Sequence, residues 1–317
     1  MIYYSLKNGD QMPALGLGTW QSRHEEAYAA VRKAIQIGYR HFDCASIYQN
    51  EKEIGRALND AIAAGEVKRK DLWITSKLWN THHRAEDVIV ALKHTLSDLH
   101  LEFLDLYLVH WPVAQRKQVL IPSTADDLVS LDELSLEDTW SGMEECVMAG
   151  LTKHIGVSNF NSKKIKRINK SSKIKIEVNQ VESHPYLQQG DLLKFCQKNA
   201  IILTAYAPLG AVERASKMPN HELPYLYQHP VIAEIAKARE LTAAQVLIAW
   251  AINRGSSVIP KSTNPSRLQE NFDAASIPFT VQEMKSIEVL NANYRYERGE
   301  YFTLEGSDYS AKSLWED

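Results

Sequence analysis

Short apolar runs alternate with helix-patterned stretches almost from one end of the chain to the other. The strand-like runs fall at 14–18, 41–42, 72–76, 104–109, 155–157, 174–178, 201–205 and 257–259. Between them, apolar positions recur at helical spacing over 25–38, 50–64, 85–99, 137–149, 161–169, 189–199 and 230–254. Strands too short to stand alone and joined by helical crossovers belong in a parallel sheet. Eight such units within roughly 260 residues predict a closed (β/α)8 barrel of the TIM type, not an open sheet. Ahead of the first unit, Asn8-Gly9 is a hairpin signal flanked by Tyr3, Ser5, Leu6, Met12 and Pro13, so a β-hairpin is expected to cap the N-terminal end of the barrel. Three segments, 112–136, 207–229 and 291–317, are too long for ordinary connections and are expected as βα loops over the C-terminal mouth. One domain over residues 1–317 is the expectation.

The bulk properties exclude more than they assign. A formal net charge of −3 gives no electrostatic reason to expect nucleic acid or an anionic membrane as partner. The basic pairs Lys163-Lys164 and Lys166-Arg167 read as the solvated face of a helix. Cys44, Cys146 and Cys196 form neither a disulfide framework nor a metal spacing, which favours a reducing compartment. The first residues lack a basic segment followed by an apolar core, and no run approaches the roughly 18 apolar residues of a membrane span. A cytoplasmic monomer is expected.

Polar residues at the ends of buried strands need a reason. Asp43 ends the second run, Lys77 follows the third and His110 the fourth, while Tyr48 lies just beyond Asp43. Singly, an Asp or Lys there is ordinarily a cap, and a His beside Trp111 a satisfied core residue. Jointly, the ends of successive barrel strands converge on one mouth, where the chemistry of such folds sits. A phenol of pKa about 10 is a poor acid near neutrality unless its anion is stabilised. Lys77 would stabilise it, Asp43 would hold the lysine charged, and His110 would direct a carbonyl oxygen toward the Tyr48 proton. Trp20, Trp79 and Trp111 fall in the same loops. They read either as apolar filling of the rim or as a pocket that holds substrate and excludes water. His82-His83 reads as a solvated loop, and no metal is expected.

These residues sit in longer segments with a familiar order: Gly16-Leu17-Gly18-Thr19-Trp20, Phe42-Asp43-Cys44-Ala45-Ser46-Ile47-Tyr48, Ser76-Lys77-Leu78-Trp79, Leu106-Tyr107-Leu108-Val109-His110-Trp111-Pro112, Ile155-Gly156-Val157-Ser158-Asn159-Phe160, Ala205-Tyr206-Ala207-Pro208-Leu209-Gly210 and Ile259-Pro260-Lys261-Ser262. Through them the chain resembles the aldo-keto reductases, aldose and aldehyde reductases in particular, over nearly its whole length. The resemblance implies NADPH-dependent reduction of small aldehydes, with NADH use secondary. Asp43, Tyr48, Lys77 and His110 match the family's catalytic tetrad, with Tyr48 as the general acid. Ser158, Asn159 and Gln180 match the residues that bond the nicotinamide carboxamide, and Tyr206 the aromatic on which that ring stacks. Gly18, Thr19, Trp20, Ala207, Leu209 and Glu213 match further cofactor positions. Lys261, Ser262, Thr263, Asn264 and Arg267 match the site of the adenosine 2′-phosphate, and Glu270 with Asn271 that of the adenine. Lysine, guanidinium and hydroxyl at a helix start do make a charge-assisted anion site. Trp20, Tyr48, Trp79, His110 and Trp111 are expected to contact the substrate.

The departures from that pattern lie in the long loops. Glu213 stands where an aspartate clasp is usual, Gln21 where aldose reductase has a lysine, and the stretch 294–299 carries Glu297 and Arg298 in place of an apolar specificity loop. This polar rim suggests hydrophilic substrates, sugars or carboxylated aldehydes, although Arg298 also reads as solvated loop charge. Three rival readings stay open. Tyr48 and Lys52 have the Tyr-x-x-x-Lys spacing of short-chain dehydrogenases, without the third glycine of that fingerprint. Lys77 could serve a barrel aldolase as a Schiff base, or the chain could be a non-enzymatic NADPH-binding or structural protein.

Overall fold

A computed structural model describes residues 2–211 and 223–316. Strands β1 (Tyr3–Ser5) and β2 (Gln11–Pro13) pair antiparallel as the expected hairpin. The parallel sheet follows in β3 (Leu17–Gly18), β4 (His41–Asp43), β5 (Trp73–Leu78) and β6 (Leu104–Val109). A small antiparallel ribbon, β7 (Ala114–Gln115) with β8 (Leu128–Val129), interrupts it. It resumes in β9 (Thr152–Ser158), β10 (Val178–Glu182), β11 (Ile202–Tyr206) and β12 (Ser257–Val258). Eight strands lie side by side in chain order, ribbon apart, and every neighbouring pair is parallel. The first then meets the last. Gly16 donates its N–H to the Val258 carbonyl at 2.9 Å, Val258 to Ala14 at 2.8 Å, and Gly18 to Pro260 at 3.1 Å. The sheet is a closed α/β barrel, as the strand–helix alternation predicted. Glycine at 18 is a requirement of the closure, because a Cβ there would lie 2.7 Å from the Ile259 carbonyl oxygen.

Helices cover the barrel where the 3.6-residue spacing placed them, at His24–Ile37, Glu51–Ala63, Ala85–Leu99, Leu136–Met148, Ser162–Ser171 and Gly190–Lys198. Two expectations need correction. The stretch 230–254 is two helices, Pro230–Ala238 and Ala243–Asn253. The chain turns at Glu240 (φ 54°), and Thr242 starts the second helix with a capping box to Gln245. The strand expected at 174–178 begins where that run ends, at Val178, and continues through Asn179, Gln180 and Glu182. Those polar side chains are buried yet bonded: Asn179 to the Phe160 carbonyl, Gln180 to Asp43 and Glu182 to His184. An apolar-run criterion cannot find a strand whose inward face is polar.

The hairpin closes the bottom. Leu6 and Met12 pack on Trp73, Leu106, Leu108 and Val178, and Asp10 reaches the buried His154 at 2.9 Å, whose other nitrogen meets Glu177 at 2.8 Å. At the opposite end, the 112–135 loop and the C-terminal segment lock together. Trp111, Val113, Leu128, Phe302, Tyr309 and Leu314 form a cluster of their own. The Tyr309 hydroxyl donates to Val129 and accepts from the Ala114 N–H. Among the described residues no helix is long and apolar enough to cross a membrane.

Candidate active site

The four polar residues of the strand ends meet. Lys77, wholly buried, donates from Nζ to Asp43 Oδ2 at 2.6 Å, to the Cys44 carbonyl at 2.8 Å and to the Tyr48 hydroxyl at 3.3 Å. Asp43 keeps its second oxygen for Gln180 Nε2, 2.7 Å away. Tyr48 closes a short 3-10 turn, Ser46–Tyr48, that begins three residues beyond β4, and Gln49 leaves it in the left-handed region (φ 57°). Asn50 fixes that turn from below by donating to the carbonyls of Thr19 and Ser22 at 2.9 and 3.0 Å. The His110 ring stands edge-on to Tyr48, with ring centres 5.9 Å apart.

Burial sets the electrostatics. It opposes the Lys77 ammonium, but Asp43 and then Tyr48 outweigh it and hold the lysine above its ordinary range. Burial pushes the Tyr48 phenol up, and Lys77 is the chief influence pulling it back. Burial, with Lys77 second, drives the His110 imidazole well below its ordinary range, so it is neutral near pH 7. The site therefore holds a neutral phenol and a neutral imidazole beside a buried ion pair.

Asp43, Tyr48 and His110 line one cleft of about 490 Å3, and Lys77 is buried outside its wall, bonded to Tyr48. Gly18, Thr19, Trp20, Trp79, Trp111, Ser158, Asn159, Gln180, Tyr206, Ala207 and Leu209 complete much of that wall. Trp20 tilts over Tyr48 at 4.9 Å between ring centres, and Trp79 stands edge-on to His110 at 5.3 Å. Asn159 is held in the left-handed region (φ 65°) by its own bonds, donating to the His110 carbonyl at 3.0 Å and accepting from the Tyr206 hydroxyl at 2.8 Å. Lys261 and Arg267 line the other end, where Asn264 caps the helix Pro265–Asp273 by accepting from the N–H groups of Ser266 and Arg267. Ser262 accepts the Asn264 N–H at 3.1 Å. Ser262, Thr263, Asn264, Glu270 and Asn271 flank this end without forming its wall. Glu213 lies outside the described residues.

The wall also contains groups that had no assigned part: Ile47, Glu182, Pro208, Ala211, Ile259, Pro260 and Tyr301, with Gln21 and Glu297 from the loops that depart from the family pattern. Most adjoin an assigned neighbour, which is the signal that could have found them. Glu182, two residues past Gln180 on the same strand face, had the clearest one. Arg298 is half exposed, turns toward Glu300 and does not line the cleft. His83 corrects an expectation: it is buried, not solvated, and burial lowers its pKa to about 3. Lys52, the partner in the dehydrogenase-like spacing, points to solvent 3.9 Å from Asp98, which removes that rival.

The aldo/keto reductase family model matches residues 14–292. An aldo/keto reductase of Synechocystis sp. is 49% identical over all of this chain and 97% of its own length. Aldo-keto reductase family 1 member A1 of Mus musculus is 44% identical over 92% of this chain and 90% of its own. Among solved structures, the aldose reductase of Schistosoma japonicum superposes with a TM-score of 0.87, at 38% identity over 98% of this chain and 100% of that one. An aldo-keto reductase of Bombyx mori in complex with NADP gives 0.83, at 33% identity over 93% and 94%. The chain belongs to the aldo/keto reductase family of oxidoreductases.

Proposed function

We propose that this protein is an NADPH-dependent aldehyde reductase, with NADH use secondary, in which Tyr48 is the general acid. The single observation that carries this reading is the Lys77 ammonium 3.3 Å from the Tyr48 hydroxyl, with His110 facing the same space. The donor set fits the cofactor. Ser158, Asn159 and Gln180 offer amide-binding groups beside the Tyr206 ring, and Lys261 and Arg267 offer two cations at the far end of the same cleft. The NADP bound to the Bombyx mori relative points the same way. One continuous set of buried residues from Ala14 to Ile287 supports treating residues 1–317 as a single domain.

When bound, the reduced nicotinamide supplies a hydride to the aldehyde carbon. His110, neutral, donates to the carbonyl oxygen and fixes its direction. Tyr48 transfers its phenolic proton to that oxygen as negative charge gathers there. Lys77 steadies the phenolate left behind, and Asp43 keeps Lys77 charged. The same ion pair argues against a Schiff-base enzyme, since a lysine held protonated is not a nucleophile. Tyr48→Phe tests the reading: reduction of a simple aldehyde should fall by at least ~100-fold, while NADPH titration, followed by quenching of protein fluorescence, gives nearly the original affinity. Retained activity would refute the role of the phenol, and affinity lost together with activity would refute its separation from cofactor binding.

A further inference from the structure

Glu182 has no part in the hydride and proton steps, yet it is a wholly buried carboxylate in the cleft wall. It ends β10, two residues past Gln180. Its Oε1 accepts the Tyr296 N–H and the His184 ring N–H, each at 2.8 Å, and its Oε2 accepts the Glu297 N–H at 2.7 Å. Burial opposes its charge, but His184, Arg295 and the Tyr296 N–H together hold the carboxyl below its ordinary range. Arg295 lies with its guanidinium over the Trp315 ring at 3.7 Å, and the Trp315 indole donates to the Arg298 carbonyl at 2.9 Å. The strand β10 needs none of this to stay in the sheet, since its own ladders to β9 and β11 hold it there. Apart from His184, these partners all belong to the C-terminal segment.

We propose that Glu182 is a positioning residue for the substrate: through the two loop amides it sets how far Glu297 and Tyr301 stand from Tyr48 and His110. This rests on the aldehyde reductase reading and narrows it by substrate size. The C-terminal segment is held in turn by three anchors. Ala292 and Tyr294 donate their N–H groups to the Tyr186 carbonyl at 3.1 and 3.0 Å, Tyr296 and Glu297 donate theirs to Glu182, and Phe302 packs with Trp111 and Val113. Glu297 and Tyr301 line the cleft at and just beyond the middle anchor. The Tyr301 hydroxyl donates to Glu297 Oε1 at 3.2 Å, so a shift of that anchor carries both side chains. The middle anchor is also the ionised one, and hydrogen bonds to an ionised acceptor are roughly twice as strong as neutral ones. An aromatic aldehyde has to fit between this loop wall and Trp20 and Trp79 on the other loops. A short aliphatic aldehyde can reach Tyr48 without leaning on the segment. The anchor therefore governs the first and spares the second.

The test uses the full-length enzyme with NADPH, benzaldehyde and propanal. Glu182→Gln keeps the shape, presents an NH2 where one loop N–H needs an acceptor, and removes the charge that Arg295 faces. Its KM for benzaldehyde should rise roughly tenfold or more, as for loss of a hydrogen bond to a charged group, with kcat within about threefold of the wild type. Its KM for propanal should stay within about threefold, and Glu182→Asp, which keeps the charge on a shorter arm, should lie between Glu182→Gln and the wild type. A KM raised equally for both aldehydes, a kcat that falls with KM unchanged, or unaltered kinetics would each overturn the inference. Should neither variant fold, hydrogen exchange on the wild type decides: the Tyr296 and Glu297 amides should be protected, and free exchange would overturn the inference without any substitution. Failure of the wild type to reduce either aldehyde would instead bring down the aldehyde reductase reading, and the inference with it.

Discussion

Replacing Lys77 with methionine removes a charge from the site while filling nearly the same volume. In the native protein the ammonium lies 3.3 Å from the Tyr48 hydroxyl. For a full phenolate at that distance, an effective dielectric constant near 20 makes the attraction about 5 kcal/mol. Only part of that charge has developed when the proton is in flight, so about half of it, some 2–3 kcal/mol, is lost from the transition state. At ~1.4 kcal/mol per decade, reduction should slow roughly 100-fold. The substitution also strands Asp43, which is buried and would keep only its bond from Gln180. An uncompensated buried charge costs about 3–5 kcal/mol, so Lys77→Met should melt well below the wild type. Adding Asp43→Asn removes the stranded charge and separates the two effects. The double variant should regain most of the stability and keep the rate deficit. NADPH-linked turnover of a simple aldehyde reads the rate, and thermal unfolding reads the stability. A double variant within a few-fold of wild-type turnover would refute the electrostatic role of the lysine.

Other perturbations reach different parts of the molecule. Arg267→Ala should weaken NADPH by roughly 10- to 100-fold and NADH much less, as for loss of a charge-assisted bond to a phosphate; equal weakening in paired titrations would remove that assignment. Glu51 is buried between Ser76 and Thr95, and burial raises its pKa from 4.5 to about 7 despite both hydroxyls. Because the folded protein keeps this proton where the unfolded chain has lost it, the group costs stability progressively as pH rises from about 4.5 to 7. Glu51→Gln should therefore gain on the wild type by up to about 3 kcal/mol over that window, and denaturant unfolding at the two pH values would expose a flat difference if the carboxyl is not buried as described. Gly55→Ala would bring a Cβ to 2.5 Å from the Leu99 backbone, where the helices Glu51–Ala63 and Ala85–Leu99 touch. Overpacking there should cost about 1–3 kcal/mol, and an unchanged melting temperature would argue against that close approach.

The barrel was legible because its determinants are local. Periodicity marks the helices, and polar residues interrupting apolar runs mark the mouth. Asp43, Lys77 and His110 could be named as partners without coordinates, since parallel strands in a closed barrel bring successive ends together. Where the reading slipped, the cause lies in tertiary context. The β10 strand turns Gln180 and Glu182 into the cleft and buries Asn179 on its other face, so its polar residues conceal a strand that the apolar Ile174 and Ile176 ahead of it mimic. His83 shows the converse, a polar residue carried into the interior by its neighbours. Glu182 and Glu297 escaped joint notice because one ends a strand and the other sits in a loop 115 positions later. Only the folded chain brings them together.

The seam between β3 and the segment after β12 has a consequence for how the protein is made. Gly18 and Lys261 face each other across it, and both border the cleft. A chain emerging from the ribosome can form its early strands and helices at once, but the ring stays open until the last strand arrives to meet the first. Contacts across so many residues form late and slowly. Lys261 takes its place in the cleft wall at that same step, so completing this end of the groove and closing the ring are a single event.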